Sequence, residues 1–118
     1  MGAAVTHFEI YGKDVGALRA FYTDLFGWEI HADNPMNYGL VHTNADDKGI
    51  GGGIAEGDAR VNVVIEVDDP QTYLDKAASL GGEVVTPVTV IPGVVTFAEF
   101  RDPAGNVIGI SAVEVPQA

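Results

Sequence analysis

Apolar and polar residues alternate along two segments of the chain, Val5–Tyr11 and Val61–Val67, which predicts a half-buried β-strand in each. After each strand the apolar residues recur three or four positions apart, as they do on one face of an amphipathic helix. The apolar positions of the first helix are Leu18, Phe21, Tyr22 and Leu25. Those of the second helix are Tyr73, Leu74, Ala77, Ala78 and Leu80. Each half of the chain therefore opens with a strand and a helix.

The ends of both helices carry residues that favour a helix boundary. Asp14 is placed to accept a hydrogen bond from the first turn, and Gly27 can adopt the left-handed conformation that ends the helix. Pro70 suits the first turn of the second helix, and Gly81 and Gly82 end it. Both helices are therefore delimited by local sequence.

Three further segments with strand character follow each helix. They cover residues 28–31, 38–43 and 50–55 in the first half, and 83–90, 94–100 and 107–113 in the second. His7 lies seven residues before Asp14, and Asn62 lies seven residues before Asp69. The repeated order indicates duplication of a βαβββ unit. We predict one domain over residues 1–118, with module one at about 4–56 and module two at about 60–114.

Three parts of the sequence are similar to one known superfamily. They are His7 on the first strand, Ala20–Gly27 at the end of the first helix, and Phe100–Asn106 before the last strand. In these parts the chain resembles the vicinal-oxygen-chelate superfamily, which includes glyoxalase I, bleomycin-resistance proteins and extradiol dioxygenases. The resemblance implies an α+β fold in which two tandem βαβββ modules form a cup-shaped mixed sheet. It also implies a homodimer, in which two subunits complete the binding grooves.

Metal-binding members of that superfamily place ligands on the first and last strands of each module. By resemblance, the first-strand positions here are His7 and Asn62, and the last-strand positions fall near Gly52 and at Gly109. We expect the four positions to converge inside the cup. Only histidine among these residues is a good ligand for a transition metal, since glycine offers no side-chain donor. We therefore expect no catalytic metal and no other cofactor.

Other candidate residues follow from strand alternation. His7, Glu9 and Tyr11 share one face of the first strand, so Glu9 can orient His7 as a general base. The alternative is that His7 is a hydrogen-bonded remnant of a metal site. We take His7 and Glu9 as catalytic candidates. The ligand-binding candidates are Tyr11, Tyr38, Gly52, Asn62, Glu66, Glu99 and Gly109.

The charge balance narrows the class of partner. The net charge is −11, with only six lysine and arginine residues, so nucleic acid and anionic membrane surfaces are poor partners. An acidic protein favours an uncharged or cationic small molecule over a phosphorylated one. The chain has no cysteine and no basic, apolar leader at its N-terminus, which predicts a cytoplasmic protein.

Four functions stay open at this point. The first is metal-free binding of a small organic molecule, as in bleomycin-resistance proteins. The second is a metal-independent lyase, isomerase or epimerase that uses His7 or a glutamate as general base. The third is a metal-dependent glyoxalase-like enzyme with an irregular ligand set, and the fourth is an interaction domain with an empty cup. One fold can host all four, so the site has to decide between them.

Overall fold

The structure is a computed structural model that describes residues 2–34, 37–43 and 48–113. The predicted end of module two at residue 114 lies outside the described residues. Module one contains β1 (Val5–Gly12), α1 (Val15–Phe26), β2 (Glu29–His31), β3 (Gly39–His42) and β4 (Gly51–Glu56). Module two contains β5 (Arg60–Glu66), α2 (Pro70–Ser79), β6 (Glu83–Ile91), β7 (Val95–Arg101) and β8 (Val107–Val113). The predicted α+β class and the repeated βαβββ order are confirmed.

The strands of the two modules pair in the same way. In module one the order is β2-β3-β4-β1, with β1 parallel to β4 and the other pairs antiparallel. In module two the order is β5-β8-β7-β6, with β5 parallel to β8 and the other pairs antiparallel. In both modules the first strand therefore pairs with the last strand, as an internal duplication requires.

The predicted starts of both helices and the end of α1 at Gly27 are confirmed, whereas α2 ends at Ser79 and Leu80 caps it rather than lying within it. The Asp14 side chain accepts a hydrogen bond from the backbone N–H of Ala17 at 3.2 Å, and Gly27 ends α1 with φ 73°. The Asp69 side chain accepts from the backbone N–H of Gln71, and Pro70 occupies the first turn of α2. Such caps satisfy backbone groups that the helix itself leaves without partners.

Each helix covers one face of its own sheet. In module two, Val67, Leu74, Ala98 and Ile110 form a buried cluster. In module one, Ile54 is fully buried, and four aromatic rings from β1, α1 and the segment after α1 pack on one another. These rings belong to Phe8, Tyr22, Phe26 and Trp28.

The chain packs as two compact units that nearly coincide with the modules. In the part of the chain that the structure describes, one unit is Thr6–Val61, and the other joins the residues before Thr6 to residues 62–113. Among the described residues, no helix combines the length and the apolarity that a membrane-crossing helix needs.

Ile54 provides a test of the module-one core. Because its side chain is fully buried, Ile54→Ala should lower the free energy of unfolding by about 2–5 kcal/mol. Ile50→Ala, on a side chain that is 40% exposed, is the matched control and should cost much less. Urea denaturation followed by circular dichroism measures both, and equal losses would contradict this assignment of the core.

Candidate ligand-binding site on module one

The sheet face of module one that points away from α1 carries all three histidines of the chain. On β1, His7, Glu9 and Tyr11 alternate with Phe8, which packs 5.6 Å from Trp28 on the α1 side. Strand pairing adds further residues to the first face, namely Gly51, Gly53 and Ala55 of β4, Leu40 and His42 of β3, and Glu29 and His31 of β2. We call this surface the histidine face.

Tyr38 joins the two catalytic candidates through its hydroxyl group. The hydroxyl donates a hydrogen bond to Glu9 Oε2 at 2.8 Å and lies 2.9 Å from His7 Nε2. Because the only hydroxyl proton goes to Glu9, His7 must be the donor in the second bond, with its proton on Nε2. The alternation of β1 predicts the shared face of His7 and Glu9, whereas the tyrosine that links them comes from a loop.

A glycine makes room for the Tyr38 ring. Gly53 pairs with Glu9, and a Cβ atom added at Gly53 would fall on the ring and hydroxyl group of Tyr38. Any side chain at this position would therefore displace the tyrosine. The glycine run of β4 thus serves a close approach, which is one reason for glycine inside a strand.

The side chains of Asn34 and Arg19 hold the segment that carries Tyr38. Asn34 accepts a hydrogen bond from the backbone N–H of Tyr38 at 3.0 Å and donates one to its carbonyl at 2.7 Å. Arg19 donates to the carbonyls of Asn37 and Ile54 at 2.9 and 3.0 Å. Asn37 has φ 49°, a left-handed conformation that asparagine tolerates better than most residues. These contacts hold the backbone from which the Tyr38 side chain extends.

Burial controls the charge state of the cluster. It lowers the pKa of His7 below 6.5, and the nearby Glu9 carboxylate opposes this effect only in part. Burial also raises the pKa of Tyr38 well above 10, and the charge of Glu9 and its hydrogen bond act in the same direction. At neutral pH the site therefore presents a neutral imidazole and a protonated phenol.

The expectation that Gly52 converges with His7 inside the cup is wrong. Gly52 pairs with Phe8, and a Cβ atom there would lie 2.5 Å from the Phe8 ring, on the α1 side of the sheet. The β4 residues that share the face of His7 are Gly51 and Gly53. The sequence prediction missed the register by one residue, and in a strand this moves a side chain to the opposite face.

The metal site that the resemblance implies does not fit these residues. The Nε2 atom of His7 is engaged by Tyr38, and Tyr38 fills the space above Gly53. Across the described ranges, no three histidine, aspartate or glutamate side chains are placed to hold a metal ion. Glycine at β4 and at position 109 of β8 adds no donor.

The candidates of module two share a face that points away from α2. Asn62 and Glu66 alternate on β5, and pairing through Val64 and Gly109 brings Glu99 of β7 to the same face. Asn62 is buried, with 4% of its surface exposed, and Glu99 Oε1 accepts a hydrogen bond from Thr86 at 2.6 Å. The structure thus groups Asn62, Glu66, Glu99 and Gly109 together, in the other compact unit from His7.

Other sequence candidates find different surroundings. Tyr11 lies on the histidine face with the guanidinium of Arg60 over its ring, 4.3 Å from the centroid. His31 and His42, which sequence reasoning left off the list of site residues, have ring centroids 5.5 Å apart on the same face. Pairing β2 with β3 as an antiparallel hairpin would have predicted that the two histidines share this face.

A family model described as the Glyoxalase/Bleomycin resistance protein/Dioxygenase superfamily matches residues 4–110 of the chain. Proteins of Mycobacterium bovis and Mycobacterium tuberculosis, both named "Putative glyoxylase CFP32", are each 33% identical over 112 residues. These alignments cover 86% of this chain and 42% of each relative. The chain thus spans about two fifths of the length of these curated relatives.

Solved structures share the fold at low sequence identity. A methylmalonyl-CoA epimerase in complex with methylmalonyl-CoA and NH4+ has a TM-score of 0.66 at 14% identity, covering 97% of this chain and 99% of that one. A superfamily member from Vibrio splendidus 12B01 scores 0.63 at 18% identity, with coverages of 94% and 99%. The Mn(II)-bound glyoxalase from Novosphingobium aromaticivorans scores 0.61 at 18% identity, with coverages of 98% and 42%.

The packing of Tyr38 on Gly53 leads to a direct test. Gly53→Ala should push the ring away, break its bonds to His7 and Glu9, and raise the pKa of His7 toward 6.5 as water reaches the imidazole. Gly51→Ala is the matched control, because a Cβ there meets only the Val41 carbonyl at 3.3 Å. NMR titration of the His7 ring protons measures the shift, and an unchanged titration in Gly53→Ala would contradict the proposed contact.

The lowered pKa of His7 predicts how stability depends on pH. Just below pH 6.5 the unfolded chain binds the proton more readily than the folded chain. The stability due to neutral His7 is therefore present above pH 6.5 and is lost as the pH falls through the folded-state pKa.

Denaturation of the wild type and His7→Gln between pH 8 and pH 5 tests this dependence. The difference in unfolding free energy should move against the wild type as the pH falls. His31→Gln controls for the loss of an exposed imidazole. A difference that is constant with pH for His7→Gln would refute the prediction.

Proposed function

Because this chain belongs to the glyoxalase/bleomycin resistance protein/dioxygenase superfamily, we propose that it binds a small organic molecule on the histidine face, against the Tyr38 hydroxyl group. Binding takes place without a metal ion. Glu9 and His7 orient the hydroxyl, and the Gly51 position leaves the sheet surface beside them without a side chain.

The observation that carries the proposal is the hydrogen-bonded group of His7, Tyr38 and Glu9. Three polar side chains from two separate segments converge on a half-buried point, although none of them is needed for the α1-side core. A few fixed polar groups beside an accessible surface are typical of a small-molecule site. Apolar residues at these three positions would stabilise the sheet equally well.

Charge and shape favour a particular class of ligand. Glu9 and Glu29 place two carboxylates on the histidine face, and the net charge of the chain is −11. An uncharged or cationic ligand is therefore favoured over a phosphorylated one. The Tyr38 ring and the neighbouring His7 ring, with centroids 6.2 Å apart and planes 20° apart, favour a planar portion in the ligand. The homodimer and the cytoplasmic location inferred from the sequence remain predictions.

A second candidate function uses the same groups for proton transfer. The Glu9 carboxylate would take a proton from an acidic C–H bond of the ligand, and Tyr38 would then donate its hydrogen bond to the enolate oxygen that forms. The proton returns from Glu9 to carbon, which completes an isomerase or epimerase cycle. The raised pKa of Tyr38 favours this role, because it keeps the hydroxyl protonated as a donor. Recovery of a chemically unchanged ligand after incubation with the protein would support binding alone over this alternative.

A matched series of three probes tests the binding proposal. Quinoline is uncharged, N-methylquinolinium is cationic and quinoline-2-carboxylate is anionic at pH 7.5. We expect the first two to shift the NMR signals of His7 and Tyr38. Tyr38→Phe should weaken the binding of quinoline, whose ring nitrogen can accept the Tyr38 hydrogen bond in place of Glu9, by about fivefold, and should affect N-methylquinolinium, which has no acceptor, much less. Tyr22→Phe removes a hydroxyl from the α1 side and should leave the affinity unchanged. Binding of the anion alone, or equal effects of the two variants, would contradict the proposal.

A further inference from the structure

Module two contains an apolar cavity of about 520 Å³ between α2 and the sheet. Ile65, Phe100 and Ile110 line it from the sheet, Tyr73 and Ala77 line it from α2, and Leu80 lines it from the end of that helix. Its volume falls in the range of small-molecule pockets. The cavity lies on the α2 side of module two and has no residue in common with the histidine face.

The mouth of the cavity is accessible. Leu80 is 69% exposed and Tyr73 is 41% exposed, whereas Ile110 at the inner end is 3% exposed. The lining thus runs from a buried aliphatic end to a solvent-exposed apolar rim. Exposed apolar rims of this kind mark binding sites more often than scattered surface residues do.

Two positively charged residues line this cavity, although the chain as a whole is strongly acidic. Lys76 and Arg101 both line it, although the whole sequence has only six lysine and arginine residues against 17 acidic ones. Within the described part of the chain, the Lys76 ammonium has no ion-pair partner. Arg101 Nη1 lies 4.0 Å from Glu83 Oε2, and the two side chains are 47% and 75% exposed. Either cation can therefore turn to a ligand with little loss.

One carboxylate also lines the cavity, and it is already engaged. Asp102 accepts hydrogen bonds from the backbone N–H groups of Ala104 and Asn106 and from the Asn106 side chain, all at 2.9 Å. These bonds close the turn before β8. The residues that line the cavity therefore carry two positive charges against one negative charge.

We propose that this cavity binds a small amphiphile with an apolar body and a single anionic head group, such as a medium-chain carboxylate. The apolar body lies between α2 and the sheet, against Ile110 and Phe100. The head group lies at the mouth, where Lys76 and Arg101 complement its charge. This site is independent of the proposed function on module one.

Isothermal titration with decanoate, decan-1-ol and decyltrimethylammonium tests the assignment. We expect one decanoate per chain, tighter than the alcohol, and no binding of the cation. Lys76→Met should weaken decanoate by at least fivefold, while Lys13→Met, which also removes an exposed lysine, should not. Because Lys76 also lies in the last turn of α2, the stability of each variant is measured in parallel.

A second variant and NMR mapping distinguish a loss of decanoate binding from a loss of folding. Leu80→Glu places a negative charge at the exposed rim and should also weaken decanoate by at least fivefold. Bound decanoate should shift the methyl signals of Ile110 and Leu80. Shifts at His7 and Tyr38 instead, binding that is equal in Lys76→Met and Lys13→Met, or no binding at 1 mM decanoate would each overturn the proposal.

Discussion

The parallel pairing of β1 with β4 is the constraint on which the candidate site depends. It brings His7 beside Gly51 and Glu9 beside Gly53, so that the polar residues of one strand stand next to the bare backbone of the other. Tyr38 can lie across this surface only because Gly53 has no side chain. Moving the register by one residue would turn Phe8 outward and bury the histidine among the aromatic rings of α1.

Much of the fold could be predicted from the sequence because its signals are local. Asp14, Gly27, Asp69 and Pro70 act within one helical turn, and each lies where its chemistry predicts. The duplication was visible because both modules keep the same order of elements. Phe97 and Phe100 also fall on opposite faces of β7, as alternation requires, with Phe100 packed on the module-two core.

The candidate site could be predicted only in part, since it depends on contacts between distant segments. Alternation on β1 predicts the shared face of His7 and Glu9, but three consecutive glycines give no alternation from which to choose Gly53 over Gly52. Tyr38 is a ligand-binding candidate from the sequence, yet its bonds to His7 and Glu9 span 31 and 29 positions of sequence. No local pattern records contacts of that range.

The hydrogen bonds that hold the Tyr38 segment affect the free energy of ligand binding. Asn34 binds both the backbone N–H and the carbonyl of Tyr38, while Arg19 ties the adjoining Asn37 to β4. These bonds order the backbone, and the bonds to His7 and Glu9 order the phenol, so the side chain has lost much of its conformational freedom before a ligand binds. Ligand binding would therefore not include the entropic cost of ordering this side chain, which for a flexible group is about 0.5–1.5 kcal/mol. A site preorganised in this way can hold a small molecule with few contacts.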